Sequence, residues 1–334
     1  MSRGLLFSIL LLVIVMAGAA CIGRYPIPPV HLLRALGLGG AAGDPIATTL
    51  LWHERLPRIL GAALVGAGLA SAGAAYQGVF RNPLVSPDLL GVLAGSGFGA
   101  AAAILLDLPP VARMALTFAG GGAAVALGVL VARLFADRDG ESAGGVLLLV
   151  FGGLVSGALF TALLSLAKFV ADPQNTLADI VFWLLGSLTG AAGPTLAIAG
   201  VPLAIGIALL IGCGRFLDLL VLADDEALSL GVPVRRLRLA VIAIATATCA
   251  LTVTLAGTIG WVGLVVPHIV RLLTGPAHGR LMPICACIGA VFLVIADTIA
   301  RTVTPSEIPI GIVTDLVGVI VFLAVLPRLR RGWA

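Results

Sequence analysis

Long stretches with scarcely a charge recur from one end of the chain to the other, the first being LLFSILLLVIVMAGAAC at 5–21. A hydrocarbon core about 30 Å thick is crossed by about 20 residues of α-helix at a rise of about 1.5 Å each. Backbone in lipid must satisfy its own polar groups, so only helices or a closed barrel can cross. Barrel strands alternate over segments of about 10 residues, and no such alternation runs through this sequence. The fold class expected is therefore all-α, a polytopic membrane protein with one transmembrane domain over 1–334. Composition agrees. Only 11% of the 334 residues are charged and 60% are hydrophobic, whereas a soluble domain carries about 25% charge.

Ten spans are expected, at 4–22, 57–79, 88–106, 112–134, 145–168, 194–213, 237–256, 258–272, 281–300 and 308–327, the eighth being short. A further apolar helix near 178–188 should lie at the interface. Basic residues concentrate on the cytoplasmic side of membrane proteins. With the N-terminus inside, thirteen of the twenty Lys and Arg face the cytoplasm and seven face out. The first run also resembles a lipoprotein leader ending at Cys21. Gly18 stands where such a leader has an aliphatic residue, and the run is long enough to span, so it reads as the first span.

The net charge of +4 is scattered over loops and gives no reason to expect a nucleic-acid partner. Five cysteines, an odd number, sit in or beside apolar runs. They read as packed thiols rather than a metal or disulfide framework. In GLVVPHIVRLLTG (263–275), His268 has no second histidine at i+4 and no nearby carboxylate pair. No metal site is expected there. His268 and Arg271 read as the cytoplasmic end of a span, pairing with loop groups or lipid headgroups. The chain lacks a G-x-x-x-x-G-K-[ST] phosphate loop. It is not expected to be an enzyme, and any pumping needs either a separate motor or buried titrating groups.

The longest cytoplasmic loop is 214–236, GRFLDLLVLADDEALSLGVPVRR. Asp224, Asp225 and Glu226 open a short helix, where carboxylates favour the N-terminal dipole. Gly231 ends it and Pro233 prevents its continuation. An apolar, acid-tipped helix held in water needs a cover, either a partner protein or its own bundle. Ala62, Gly66, Ala70, Ala74 and Gly78 recur at every fourth position of the second span, a stripe suited to close helix approach in lipid.

Several ordered motifs are more specific. RLPRILGAALVGAGLASAGAAYQGVFRNPLVSPDLLGVLAGSGFGA (55–100), ADDEALSLGV (223–232), GTIGWVGLVVPHIVRLLTGPAHGRLMP (257–283) and ADTIARTVTPSEIPIGIVT (296–314) together resemble the hallmarks of FecCD-type ABC importer permeases. FWLLGSLTG (182–190) fits as well. The resemblance implies the type II ABC importer permease fold, a multi-pass location in the bacterial cytoplasmic (inner) membrane, and alternating access. It also implies partners: a second permease copy in a homodimer, two cytoplasmic ABC ATPase subunits, and a periplasmic substrate-binding protein. No cofactor is expected in this chain, since ATP and Mg belong to the partner ATPase. The implied cargo is a metal chelate, with iron–siderophore placed first and haem or cobalamin next.

Residue by residue, the resemblance makes 214–236 the coupling loop, with Asp224, Asp225, Glu226, Ala227, Leu230 and Gly231 inserting into the ATPase. Arg55, Arg58 and Arg301 would meet carboxylates of the binding protein. Asp297 and Arg301 are i and i+4 neighbours and are expected to pair. The cytoplasmic gate should fall near Ser142 and Gly144. Asp315 stands where the family has a small neutral residue, about 10 Å into the last span. A carboxylate there should line the pathway or pair with an arginine. A different class, an ion-coupled secondary transporter, would use Asp297 and Asp315 as titrating groups.

Overall fold

The computed structural model describes residues 2–35, 44–135 and 142–329, with side chains described for all of these except 142–145 and 325–329. Fifteen α-helices follow in order: α1 (Arg3–Cys21), α2 (Pro29–Ala35), α3 (Pro45–Leu50), α4 (Leu56–Val79), α5 (Val92–Leu105), α6 (Pro110–Leu134), α7 (Ser142–Val170), α8 (Thr176–Leu184), α9 (Gly193–Gly212), α10 (Gly214–Val221), α11 (Asp224–Ser229), α12 (Val234–Ala256), α13 (Val262–Thr274), α14 (His278–Thr302) and α15 (Ile310–Leu329). A π-turn (Leu51–Arg55) runs α3 into α4, and a 3₁₀ turn (Pro87–Leu90) precedes α5.

Seven of these helices are long and apolar enough to cross a membrane, and three shorter apolar ones lie at 92–105, 262–274 and 310–324. The ten correspond in order to the ten expected spans. The further apolar helix expected near 178–188 is α8, Thr176–Leu184. The third span is shorter than expected, because Gly91 at φ 75° breaks the chain between the 3₁₀ turn and α5.

Helix α4 is the hub of the bundle, touching α14, α12, α9 and α13. Its small-residue stripe explains why. Gly66 and Gly289 face each other so closely that a methyl group on either would strike the carbonyl of the other. Ala70 fills the space beside Gly289, and Gly78 lies under the His278 ring. Helices in lipid gain little from hydrophobicity and associate through such close contact. Pro267 sits inside α13 and has no N–H to give the Gly263 carbonyl four residues back. That carbonyl instead abuts Gly73 of α4, where no side chain would fit.

Non-helical backbone is tied together where α8, α12 and α15 meet. Ser187 N donates to Ala256 O at 2.9 Å, Gly311 N to Leu185 O at 3.0 Å and Ile310 N to Gly186 O at 3.2 Å. Irregular backbone survives within a membrane protein only when its polar groups are satisfied in this way.

Candidate functional site

The ends of the bundle carry two polar clusters. At the end that the charge bias assigns to the cytoplasm, Arg81 follows α4 with φ 51°. Its Nε donates to Leu220 O at 2.9 Å, and its Nη2 donates to Asp224 Oδ1. Arg238 of α12 donates from Nη2 to the same carboxylate, at 2.9 Å to Oδ1 and 3.2 Å to Oδ2. Asp224 is only 8% exposed. Burial pushes its pKa up, but the hydrogen bonds and charges of Arg238 and then Arg81 outweigh this and hold it below its ordinary value. Asp224 thus fastens the start of α11 to the end of α4 and to α12.

The rest of α11 divides by face. Asp224 and Ala227 point into the protein, while Asp225, Glu226, Leu228, Ser229, Leu230 and Gly231 are exposed. The expected coupling residues therefore separate into two that anchor the helix and four that it presents. Gly231 at φ 77° closes the helix, with its N–H on Leu228 O at 2.9 Å and Val232 N on Ala227 O at 3.1 Å. These are the reversing bonds of a left-handed C-terminal cap. Leu228 and Leu230, 54% and 63% exposed, are left facing outward. Beside α11, Asp218 of α10 accepts from the His278 backbone N at 2.6 Å and its Nδ1 at 3.0 Å. That carboxylate caps α14 and fixes α10 against it.

At the opposite end the arginines turn inward. Arg55 donates from Nη1 to Ala20 O at 2.6 Å and from Nη2 to Tyr25 O, and is 8% exposed. Arg301 donates from Nη2 to Ala19 O at 2.5 Å. Both therefore satisfy carbonyls at the C-terminus of α1, which have no partner within their own helix. Arg58 takes two carboxylates. Its Nη2 lies 2.9 Å from Asp297 Oδ1, and its Nη1 lies 2.9 Å from Glu307 Oε2. The expected Asp297–Arg301 pair is secondary, with Arg301 Nε 3.7 Å away. Arg58, from another helix, donates from Nε to both oxygens of Asp297, and spacing along α14 could not reveal it.

Two further expectations change. His268 is 5% exposed, and neither ring nitrogen has a partner among the described residues, nor has Arg271 Nη1. His268 is thus buried and pairs with no loop group among the described residues, while Leu272 and Leu273 at the end of α13 stay exposed. Asp315 is exposed on α15, makes no ion pair among the described residues, and lies with Oδ1 against Gly260. Ser142 and Gly144 fall in the first turn of α7, where side chains lie outside the described residues. Sequence reasoning missed Arg81, Arg238, Asp218 and Glu307. Only Arg81 carried a signal, as a charge just before Asn82 and Pro83 at the end of the second span.

A ten-span helical bundle with a short acid-tipped helix anchored at one end is the architecture of a membrane permease of the type II ABC importer fold. The model of the FecCD transport family matches residues 9–328, and the chain belongs to that family. It is 36% identical over 331 residues to the molybdate import system permease protein MolB of Haemophilus influenzae, covering 98% of this chain and 96% of that one. It is 35% identical over 329 residues to the Fe(3+) dicitrate transport system permease protein FecD of Escherichia coli, covering 96% and 98%. A solved inward-facing conformation of a metal-chelate type ABC transporter superposes with a TM-score of 0.86 at 35% identity, covering 97% of this chain and 98% of the other. The protein is accordingly a multi-pass transport subunit of the cytoplasmic membrane.

Proposed function

We propose that the chain forms one half of a homodimeric importer. The dimer takes a metal chelate, iron–siderophore first, from a periplasmic binding protein and passes it inward by alternating access. ATP and Mg are bound by two cytoplasmic ATPase subunits, and this chain supplies no cofactor of its own. The observation that carries the reading is α11. Its anchor at Asp224 is buried while Leu228 and Leu230 stand in water, an arrangement suited to a helix seated in a partner. Motion of that partner would reach α4 through Arg81 and α12 through Arg238.

The outer face for a binding protein centres on Arg58 and Glu307, where the inward-turned cluster reaches the surface. Asp315 is proposed to line the pathway. The ion-coupled alternative loses one of its two titrating groups, since Asp297 is occupied by Arg58. Haem and cobalamin remain the other chelates to consider, and the relative named for molybdate adds an oxyanion.

Two experiments test this. Purification of the permease with its cognate ABC ATPase should give a complex that Leu230→Asp disrupts; a complex indifferent to that change overturns the coupling role of α11. Titration of the cognate binding protein with ferric siderophore, haem, cobalamin and molybdate should select the first, and selection of another replaces it.

A further inference from the structure

A cavity of about 320 Å³ opens between α6 and α12. Phe118, Gly122 and Val129 line it from α6, and Leu239, Ala243 and Ala250 from α12. The one hydroxyl in its wall, that of Thr246, is already bonded to the Tyr76 hydroxyl at 2.7 Å. Water therefore finds no free polar group to hold it. The wall is apolar apart from that engaged hydroxyl, and the volume lies within the range of small-molecule sites.

Position supplies the occupant. From Phe118 to Val129 the groove runs about 16 Å along α6, close to half the thickness of a hydrocarbon core of about 30 Å. Val129 and Leu239 mark its cytoplasmic end, each five residues from the cytoplasmic end of its helix. Continue each lining face by one turn. On α6 the step of four from Val129 arrives at Arg133, and on α12 the steps of four and three from Leu239 arrive at Arg235 and Arg236. All three are exposed and make no ion pair among the described residues. Arg238, on another face, is buried on Asp224. An apolar slot about as long as one leaflet is deep, crossing the middle of α6, thus ends one turn short of three arginines at the inner surface. Basic pockets between transmembrane helices on the cytoplasmic side bind anionic lipid headgroups.

We propose that this groove is a site for an anionic phospholipid of the inner leaflet, one acyl chain lying between α6 and α12 and its phosphate on Arg133, Arg235 and Arg236. The lipid fills space that side chains leave open. It also ties the cytoplasmic end of α6 to the helix that holds Asp224.

Native mass spectrometry of the purified full chain, with phosphatidylglycerol or phosphatidylcholine of matched chains added, tests the assignment. Wild type should retain phosphatidylglycerol several-fold over phosphatidylcholine. A Cβ added at Gly122 meets nothing within 4 Å and the residue lines the groove, so Gly122→Phe should fill the groove and lose most of both lipids. Ala123→Phe, at an exposed position outside the lining, is the control and should retain them. Arg133→Gln/Arg235→Gln/Arg236→Gln should keep lipid but lose the preference for phosphatidylglycerol. Should Gly122→Phe aggregate, Ala243→Leu fills the same groove more mildly. Equal retention of the two lipids by wild type, or of lipid by the Gly122 and Ala123 variants, overturns the proposal. A loss of dimer mass on filling the groove also overturns it, since a second copy would then be the occupant.

Discussion

Arg238 and Asp224, fourteen residues apart, are joined by two hydrogen bonds of 2.9 and 3.2 Å, and Arg81 shares the same carboxylate from 143 residues away. The start of the presented helix is therefore held by two other segments of the chain, the end of α4 and α12. Removing one partner of a buried charge pair costs about 3–5 kcal/mol, because the other is left uncompensated. Asp224→Ala should lower thermal stability in detergent by that order and uncouple the partner ATPase. Asp225→Arg, on the exposed face, should leave stability unchanged and still abolish stimulation of ATP hydrolysis. Unfolding curves and ATPase rates on the two variants separate anchoring from presentation.

The same carboxylate sets a pH window. Asp224 is held below its ordinary pKa in the folded protein, so the unfolded chain takes up its proton first as pH falls. Its contribution is complete above the ordinary carboxylate value of about 3.9 and disappears as pH drops through the lower folded value. The stability gap between wild type and Asp224→Asn should stay constant from about pH 5 to 8 and close below about pH 4. Thermal unfolding across that range checks the sign, and a gap that widened in acid would contradict it.

At the outer end Arg58 bridges Asp297 and Glu307. Asp297 is almost fully buried, at 1% exposure, so Arg58→Ala leaves it only Arg301 at 3.7 Å and should cost up to about 3–5 kcal/mol. Replacing both charges by apolar groups of similar size, Arg58→Met with Asp297→Leu, should recover much of that loss. A double-mutant cycle on unfolding free energy measures the coupling. Additive losses would show that the pair does not act as a unit.

Hydropathy made the ten spans and their order readable, because lipid demands long uncharged runs and little else in the sequence imitates them. The loop 214–236 was readable too, since an apolar helix in water shows in composition. The direction of individual charges was not. Arg55 and Arg301 read as outward charges on a helix end, yet both reach for the carbonyls of α1, whose arrival beside them no spacing encodes. Asp224 and Asp225 are adjacent and identical in type, and only the fold places one inside and the other outside. Asp297 had a plausible local partner at i+4, which concealed the stronger one 239 residues away.

Glycines give the clearest contrast within one residue type. Gly66 of α4 meets Gly289 of α14 backbone to backbone, and a methyl group there must push the helices apart. At Gly122 of α6 the same methyl enters open space. Overpacking a close contact costs about 1–3 kcal/mol, whereas Ala in a helix is favoured over Gly by up to about 1 kcal/mol. Gly66→Ala should therefore lower the unfolding temperature, and Gly122→Ala should leave it equal or raise it. The two effects have opposite sign for one chemical change, so a shared detergent or expression artefact cannot mimic them. Gly289→Ala should reproduce the Gly66 loss, and Gly66→Ala/Gly289→Ala should cost less than the sum, because one displacement of α4 from α14 relieves both. Thermal melts of the four variants, taken with wild type, decide whether that crossing holds α4 at the centre of the bundle.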